Sequence, residues 1–284
     1  RPYEICGKVT PYAAREMGLE PGTPLAAGGA DSAMQLVGNG IVAPGTAACN
    51  IGTGAQVLAA ADCPAYDAQL RSQTFCHAAE NTWYLQCGTL NGGSALSWLK
   101  NQALENHAGF DVFLQTAEDT PAGAEGLLFL PYLAGERNPH LDPDAKGVFC
   151  GLSMKHRQGH LIRAVMEGVA YNLRECMDIL QSQGLSMNRL IASGGGAKGH
   201  LWRQILADMF DTPVYTTKTV EEACTGAAIM AAVGIGWYEN TADAVEKIVK
   251  MENEVTLPVA AHRLVYEENR QHFRQLYEST RNLL

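Results

Sequence analysis

The sequence predicts an α/β domain with a mixed sheet flanked by helices. Two observations carry this. Short apolar runs such as 47–51 and 56–60 alternate with long helical stretches such as 156–183. Three glycine-rich turns follow apolar strands, at Gly28-Gly29-Ala30-Asp31, Gly52-Thr53-Gly54 and Gly194-Gly195-Gly196-Ala197. Composition agrees: 284 residues with 46% apolar and 18% charged side chains can bury a sizeable core.

The elements follow in order. Thr10 as N-cap and Pro11 at the first helical position start a short helix over 9–18, and Gly18 ends it. Residues 25–29 read as a short buried strand with its turn, and Asp31 opens a helix over 31–37. Strands at 47–51 and 56–60 flank Gly52-Thr53-Gly54 as a hairpin. Two more strands are expected at 74–77 and 82–87. The stretch 94–105 is helical, with Leu96, Leu99 and Ala103 on one face. An apolar strand over 127–130 ends at Pro131. A loop over 133–151 carries Pro139 and Pro143, and loops of that length are uncommon without a function.

The longest helix is expected over 156–183, with Leu161, Val165, Val169, Leu173 and Leu180 near one buried stripe. A strand over 189–192 leads into Gly194-Gly195-Gly196, followed by a helix over 199–210. Then come a strand at 214–216 and an Ala-rich helix over 221–233, opened by Glu221-Glu222, where negative charge suits the helix dipole. A terminal amphipathic helix covers 263–284.

The net charge of −9 gives no footprint for nucleic acid or an anionic membrane. The longest apolar run is well short of the ~20 residues a membrane span needs. Eight cysteines show no CxxC spacing and read as reduced thiols of a cytoplasmic protein, several of them in the core. His140, His156 and His160 lack compact ligand spacing, so no metal site is expected from them. No leader signature is visible. The chain opens at Arg1-Pro2 without Met and reads as the interior of a longer protein. A homodimer is compatible with all of this.

Glycine turns at strand ends let the backbone approach a ligand, and N–H groups at the helix starts beyond them favour anions. Each turn alone is more simply an ordinary tight turn; three in one chain shift the balance toward a nucleotide phosphate. None fits the Walker A or GxGxxG pattern. Asp31, directly after Gly-Gly, has two readings: a helix N-cap, favoured by pattern alone, or a carboxylate that accepts a proton during phosphoryl transfer. Glu136-Arg137 reads as a solvated loop pair in preference to a phosphate or sugar contact. Trp98 and Trp202 read as packing beside the cleft.

Three segments resemble the FGGY carbohydrate kinases. The first is Gly147-Val148-Phe149-Cys150-Gly151-Leu152 with His160-Leu161-Ile162-Arg163-Ala164-Val165-Met166-Glu167, similar to the family's C-terminal signature. The second is Gly28-Gly29-Ala30-Asp31. The third is Ser193-Gly194-Gly195-Gly196-Ala197 with Leu201-Trp202-Arg203-Gln204 and Ala207-Asp208. The segment from Phe129 to His140 is most similar to the xylulose kinases of the family, with a related segment in gluconate kinases.

The resemblance implies an actin/hexokinase-like (ribonuclease H-like) ATPase fold, with residues 1–284 forming the C-terminal, nucleotide-binding lobe. The same resemblance implies a sugar-binding N-terminal lobe that this chain does not include. It implies ATP-dependent phosphorylation of a ketose, with ATP, Mg²⁺ and a small sugar as partners. By the same resemblance Asp31 is the catalytic base. Gly52, Thr53 and Gly54 form a phosphate turn, and Gly93, Gly195, Gly196 and Ala197 line the nucleotide. The chain departs from the pattern at Gly54, where serine is frequent, and at Gly199-His200, where a small polar residue often meets the adenosine. One lobe alone is expected to be catalytically silent.

Overall fold

Strands that are apolar on both faces set the centre of the molecule. The structure is a computed structural model, and it describes residues 1–219 and 221–283. At the N-terminus β1 (Ile5–Lys8) pairs antiparallel with β2 (Pro24–Ala26), with α1 (Pro11–Met17) between them in sequence. Thr10 caps α1, its Oγ1 accepting the Ala13 N–H at 3.2 Å, and Gly18 closes the helix in the left-handed region. The sequence predicts a buried strand at 25–29. The strand is instead largely exposed, because this two-stranded ribbon lies outside the main sheet.

Next come α2 (Asp31–Gly38), β3 (Gly45–Ile51), β4 (Ala55–Ala61), β5 (Gln73–Cys76), β6 (Trp83–Thr89) and α3 (Gly93–Trp98), which runs on into a π-helical turn, Leu99–Ala103. They are followed by α4 (Phe110–Gln115), β7 (Leu128–Leu130), β8 (Val148–Cys150), α5 (Gln158–Ser182), β9 (Met187–Ser193), a 3₁₀ turn Gly195–Lys198, α6 (His200–Phe210) and β10 (Val214–Tyr215). The last elements are α7 (Glu222–Gly234), α8 (Thr241–Ile248) and α9 (Ala260–Thr280). Leu284, the expected end of the terminal helix, lies outside the described residues. The short elements β1, β8, α4 and α8 are not expected from the sequence.

The main sheet has the order β10-β9-β3-β4-β6-β5 among the described residues, parallel from β10 to β3 and antiparallel from β3 to β5. Side chains alternate across a strand, so each strand feeds two cores. Ala47, Cys49, Ile51, Val57 and Ala59 join one apolar cluster with α5 and α6. Ala48, Leu58 and Ala60 join the other, with α2, α7 and α8. No helix among the described residues is long and apolar enough to cross a membrane.

Two packing details hold the helices against the sheet. Helix α5 is buried nearly all round, and on it Arg163 donates to Glu167 at 2.8 Å. Glu167 Oε1 also accepts from the Gly123 N–H and the Tyr266 hydroxyl, both at 2.9 Å. This satisfied pair ties α5 to α9 and to the segment before β7, as buried charges must be paired to be tolerated. On the opposite face α2 and α7 touch backbone to backbone. A Cβ on Gly38 would overlap the Glu222 carbonyl, and one on Gly226 would overlap the Met34 carbonyl. All eight cysteines are free thiols, with Cys49, Cys87 and Cys176 buried and the other five exposed.

Candidate active site

The ends of β3 and β9 lie side by side, so the turns after them converge. Asn50 Nδ2 donates to Ser193 Oγ at 3.1 Å across the two strands. Gly194, with φ +77°, would carry a Cβ 2.7 Å from the Ile51 carbonyl oxygen, so both its backbone angle and its surroundings require glycine. A third turn, between β6 and α3, docks on the first. The Gly93 N–H donates to the Gly52 carbonyl at 2.7 Å, and the Gly92 and Ser94 N–H groups donate to the Thr53 carbonyl at 2.9 and 3.1 Å. A Cβ on Gly93 would sit 2.8 Å from the Gly52 oxygen.

Around these turns lies a cavity of about 690 Å³, lined by Gly52, Thr53, Gly93, Gly195 and Gly196, by Trp98 and by residues of α4 and α6. Nothing lies within 4 Å of a Cβ built on Gly195. Trp202 also lines the cavity; its buried indole Nε1–H has no acceptor among the described residues. Trp98 stacks on Phe129 with ring centroids 6.3 Å apart, so both tryptophans pack beside the cleft as expected. Five of the expected site residues, Gly52, Thr53, Gly93, Gly195 and Gly196, therefore share one cavity. Ala197, between the lining residues Gly196 and Lys198, is buried and does not itself line the cavity.

Gly54 faces a second, smaller cavity of about 240 Å³ that shares Gly52 and Thr53 with the first and is bounded by Gln56, Thr89 and Arg137. The 52–54 turn thus separates a large compartment from a small one. The N–H groups of Gly52, Thr53 and Gly54 have no acceptor among the described residues. Three donors in a row with no partner form a ready anion site.

Asp31 lies outside both cavities, exposed at the first position of α2. It is not the N-cap, since Ala30 holds that position; its Oδ1 accepts the N–H of Ser32 at 2.7 Å. One turn on, Gln35 shares its helix face. Gln35 Oε1 accepts from Gln56 Nε2 at 3.3 Å, and Gln56 walls the small cavity. Asp31 therefore stands on the helix face that borders the small compartment.

The sequence reads Glu136-Arg137 as a solvated pair; Arg137 is indeed exposed, but Glu136 is not. Glu136 is 2% exposed. Its Oε1 accepts from the N–H groups of Leu90 and Arg137 at 2.9 and 2.7 Å, and its Oε2 from Asn172 Nδ2 at 2.6 Å. Burial outweighs these bonds and raises its pKa to about 7. The 133–151 loop folds inward here, tied by Asn91 Nδ2 to the Gly135 carbonyl at 2.9 Å. A sequence signal exists in Phe129-Leu130-Pro131-Tyr132, which anchors the start of that loop in the core. Among the described residues no three His, Cys, Asp or Glu side chains gather into a metal-sized cluster.

The C-terminal domain profile of the FGGY family of carbohydrate kinases matches residues 47–235. The chain belongs to the FGGY family. A xylulose kinase of Staphylococcus epidermidis is 37% identical over 99% of this chain and 56% of its own length. A gluconokinase of Bacillus licheniformis is 36% identical over 80% of the chain and 46% of its own length. The crystal structure of xylulose kinase from Rhodospirillum rubrum superposes with a TM-score of 0.86 at 32% identity, covering 99% of this chain and 56% of that one. The chain thus spans about half the length of the FGGY relatives it matches. Its mixed, helix-flanked sheet is the ATPase fold of the family. Within the FGGY signature, Arg163 and Glu167 form the buried pair of α5, while Met166 reaches the large cavity.

Proposed function

We propose that residues 1–284 are the nucleotide-binding lobe of an ATP-dependent kinase of a ketose, with D-xylulose as the preferred acceptor. The observation that carries the reading is the 52–54 turn, with three unpartnered N–H groups between a nucleotide-sized cavity and a small one bordered by the Asp31 helix face. The large cavity would hold the nucleoside, against Gly195, Gly196 and Trp202. The turn would hold the terminal phosphates through its N–H groups and Thr53 Oγ1.

In transfer, the acceptor hydroxyl oxygen bonds to the terminal phosphorus as the bridging oxygen–phosphorus bond to the leaving diphosphate breaks. The hydroxyl proton passes to the Asp31 carboxylate. A general base must come within hydrogen-bond reach of the proton it takes, and Asp31 stands on the helix face that borders the small cavity. Mg²⁺ in such reactions rides largely on the substrate phosphates with one or two carboxylates. Among the described residues no three His, Cys, Asp or Glu side chains gather, so the phosphates would supply most of the ion's oxygen ligands. A cytoplasmic setting suits the reading, since eight free thiols are at home there.

The test is a panel of sugars with ATP on the full-length protein, with D-xylulose and gluconate as the deciding pair, because both kinds of relative match. D-xylulose should give the higher kcat/KM. Asp31→Asn should lower kcat by about 10²–10⁴-fold while ATP binding by calorimetry stays intact. An Asp31→Asn protein that keeps most of its kcat would remove Asp31 from the mechanism.

A further inference from the structure

The small cavity has one cationic wall, Arg137. Its Nε donates to the Gly88 carbonyl at 2.9 Å, beside Asn138 Nδ2, which donates to the same oxygen at 2.9 Å. Its backbone N–H is held by Glu136 at 2.7 Å. The guanidinium can approach β6 this closely because residue 88 is glycine; a Cβ there would overlap Nη2. A Cβ on Gly88 would also sit 3.4 Å from Gln56 Cβ, so the group lies beside the residue that leads to the Asp31 helix. Neither Nη of Arg137 has an acceptor among the described residues. An arginine anchored at Nε with both Nη groups open presents a fixed fork of donors.

We infer that Arg137 binds the phosphoryl group itself, as the cationic partner of the 52–54 turn. The inference rests on the kinase reading. A tetrahedral oxyanion in the small cavity would take the turn's N–H groups on one side and the Nη fork on the other. Arg–phosphate pairs of this kind are bidentate and stronger than neutral hydrogen bonds. The oxyanion has two sources, the terminal phosphate of the nucleotide before transfer and the phosphate ester of the sugar after it. Both carry the same chemistry to the same cavity. The role extends the sequence reading, which assigns the phosphate to glycine turns alone.

The experiment compares wild type, Arg137→Lys and Arg137→Met in the full-length protein. Steady-state rates are measured with ATP and D-xylulose, and calorimetry is run with ADP, with a non-hydrolysable ATP analogue and with the sugar phosphate. Loss of one preorganised donor group predicts a kcat lower by about 10²–10³-fold in Arg137→Met. Arg137→Lys should recover part of that, and added guanidinium ion should partly rescue Arg137→Met. ADP affinity should be unchanged. Weakened binding of the ATP analogue alone marks the donor phosphate as the source; weakened binding of the sugar phosphate alone marks the product.

Wild-type kcat in Arg137→Met, or a raised sugar KM with kcat intact, overturns the inference, the latter because the fork would then bind acceptor hydroxyls. Should Arg137→Met fail to fold, Arg137→Lys carries the test, since it keeps the charge and loses the fork; full kcat in it overturns the bidentate role. If wild type itself binds no nucleotide and turns over no sugar, the kinase reading has failed, and that result is distinct from a normal wild type with a normal variant.

Discussion

Burial moves the Glu136 carboxyl toward neutral pH. Its pKa is about 7 in the fold against an ordinary 4.5. As pH rises from about 4.5 to about 7, the unfolded chain releases this proton and the folded chain retains it. The contribution of Glu136 to stability therefore falls across that window and levels off above it. The full difference corresponds to about 3 kcal/mol at ~1.4 kcal/mol per pH unit. Glu136→Gln keeps an acceptor for Leu90 and Arg137 but sets an amide donor against Asn172 Nδ2, a cost that does not depend on pH. The stability of the variant relative to wild type should accordingly rise between pH 4.5 and 7, read by urea denaturation at several pH values. A constant difference across that range would show that Glu136 is ionised throughout.

The same residue shows where sequence reading stops. Glycines 52, 195 and 196 were legible because glycine-rich turns recur after apolar strands, whereas Gly93 was legible only through the family resemblance. A carboxylate beside an arginine in a proline-containing loop looks solvated until the loop's own anchors, Tyr132 and Asn172, are seen to draw Glu136 inward. Asp31 was legible as a candidate. Its freedom from the capping role was not, because which residue caps depends on φ and ψ at Ala30.

Among the elements, α2 and α7 make the most demanding contact. Gly38 and Gly226 let the two backbones meet, and the Ala-rich composition of α7 by itself points to close packing. Gly226→Ala adds a methyl against the Met34 carbonyl, with no flexible side chain there to give way. Overpacking of this kind costs about 1–3 kcal/mol, which should exceed the ~1 kcal/mol that alanine gains in helix propensity. The denaturation midpoint should fall. A variant as stable as its parent would mean that α2 can slide along α7, and with it the end that carries Asp31. The shortest elements escape sequence reading for a simple reason. The four residues of β1, the three of β8 and the six of α4 are too few to show a period.

For the whole molecule, the sheet was legible because most of its strands are apolar runs bounded by glycine or charge. Its order was not. That β9 adjoins β3 on the side away from β4 depends on helix α5 crossing the sheet, a long-range event that no local pattern records. The two-lobed architecture came from resemblance alone. The chain spans about half of its relatives' length.

The distribution of thiols gives the molecule an internal clock. Cys6, Cys63, Cys76, Cys150 and Cys224 are open to reagent, whereas Cys49 and Cys87 lie in the sheet and Cys176 on the helix beneath it. Burial also pushes the Cys49 thiol up to about 12, so the reactive thiolate is scarce even when reagent arrives. Brief alkylation followed by mass analysis should therefore show five mass increments at once and three more only at the rate of global opening. A sixth fast increment would reveal a breathing strand. The slow three would time, without any engineered label, how often the centre of the sheet comes apart.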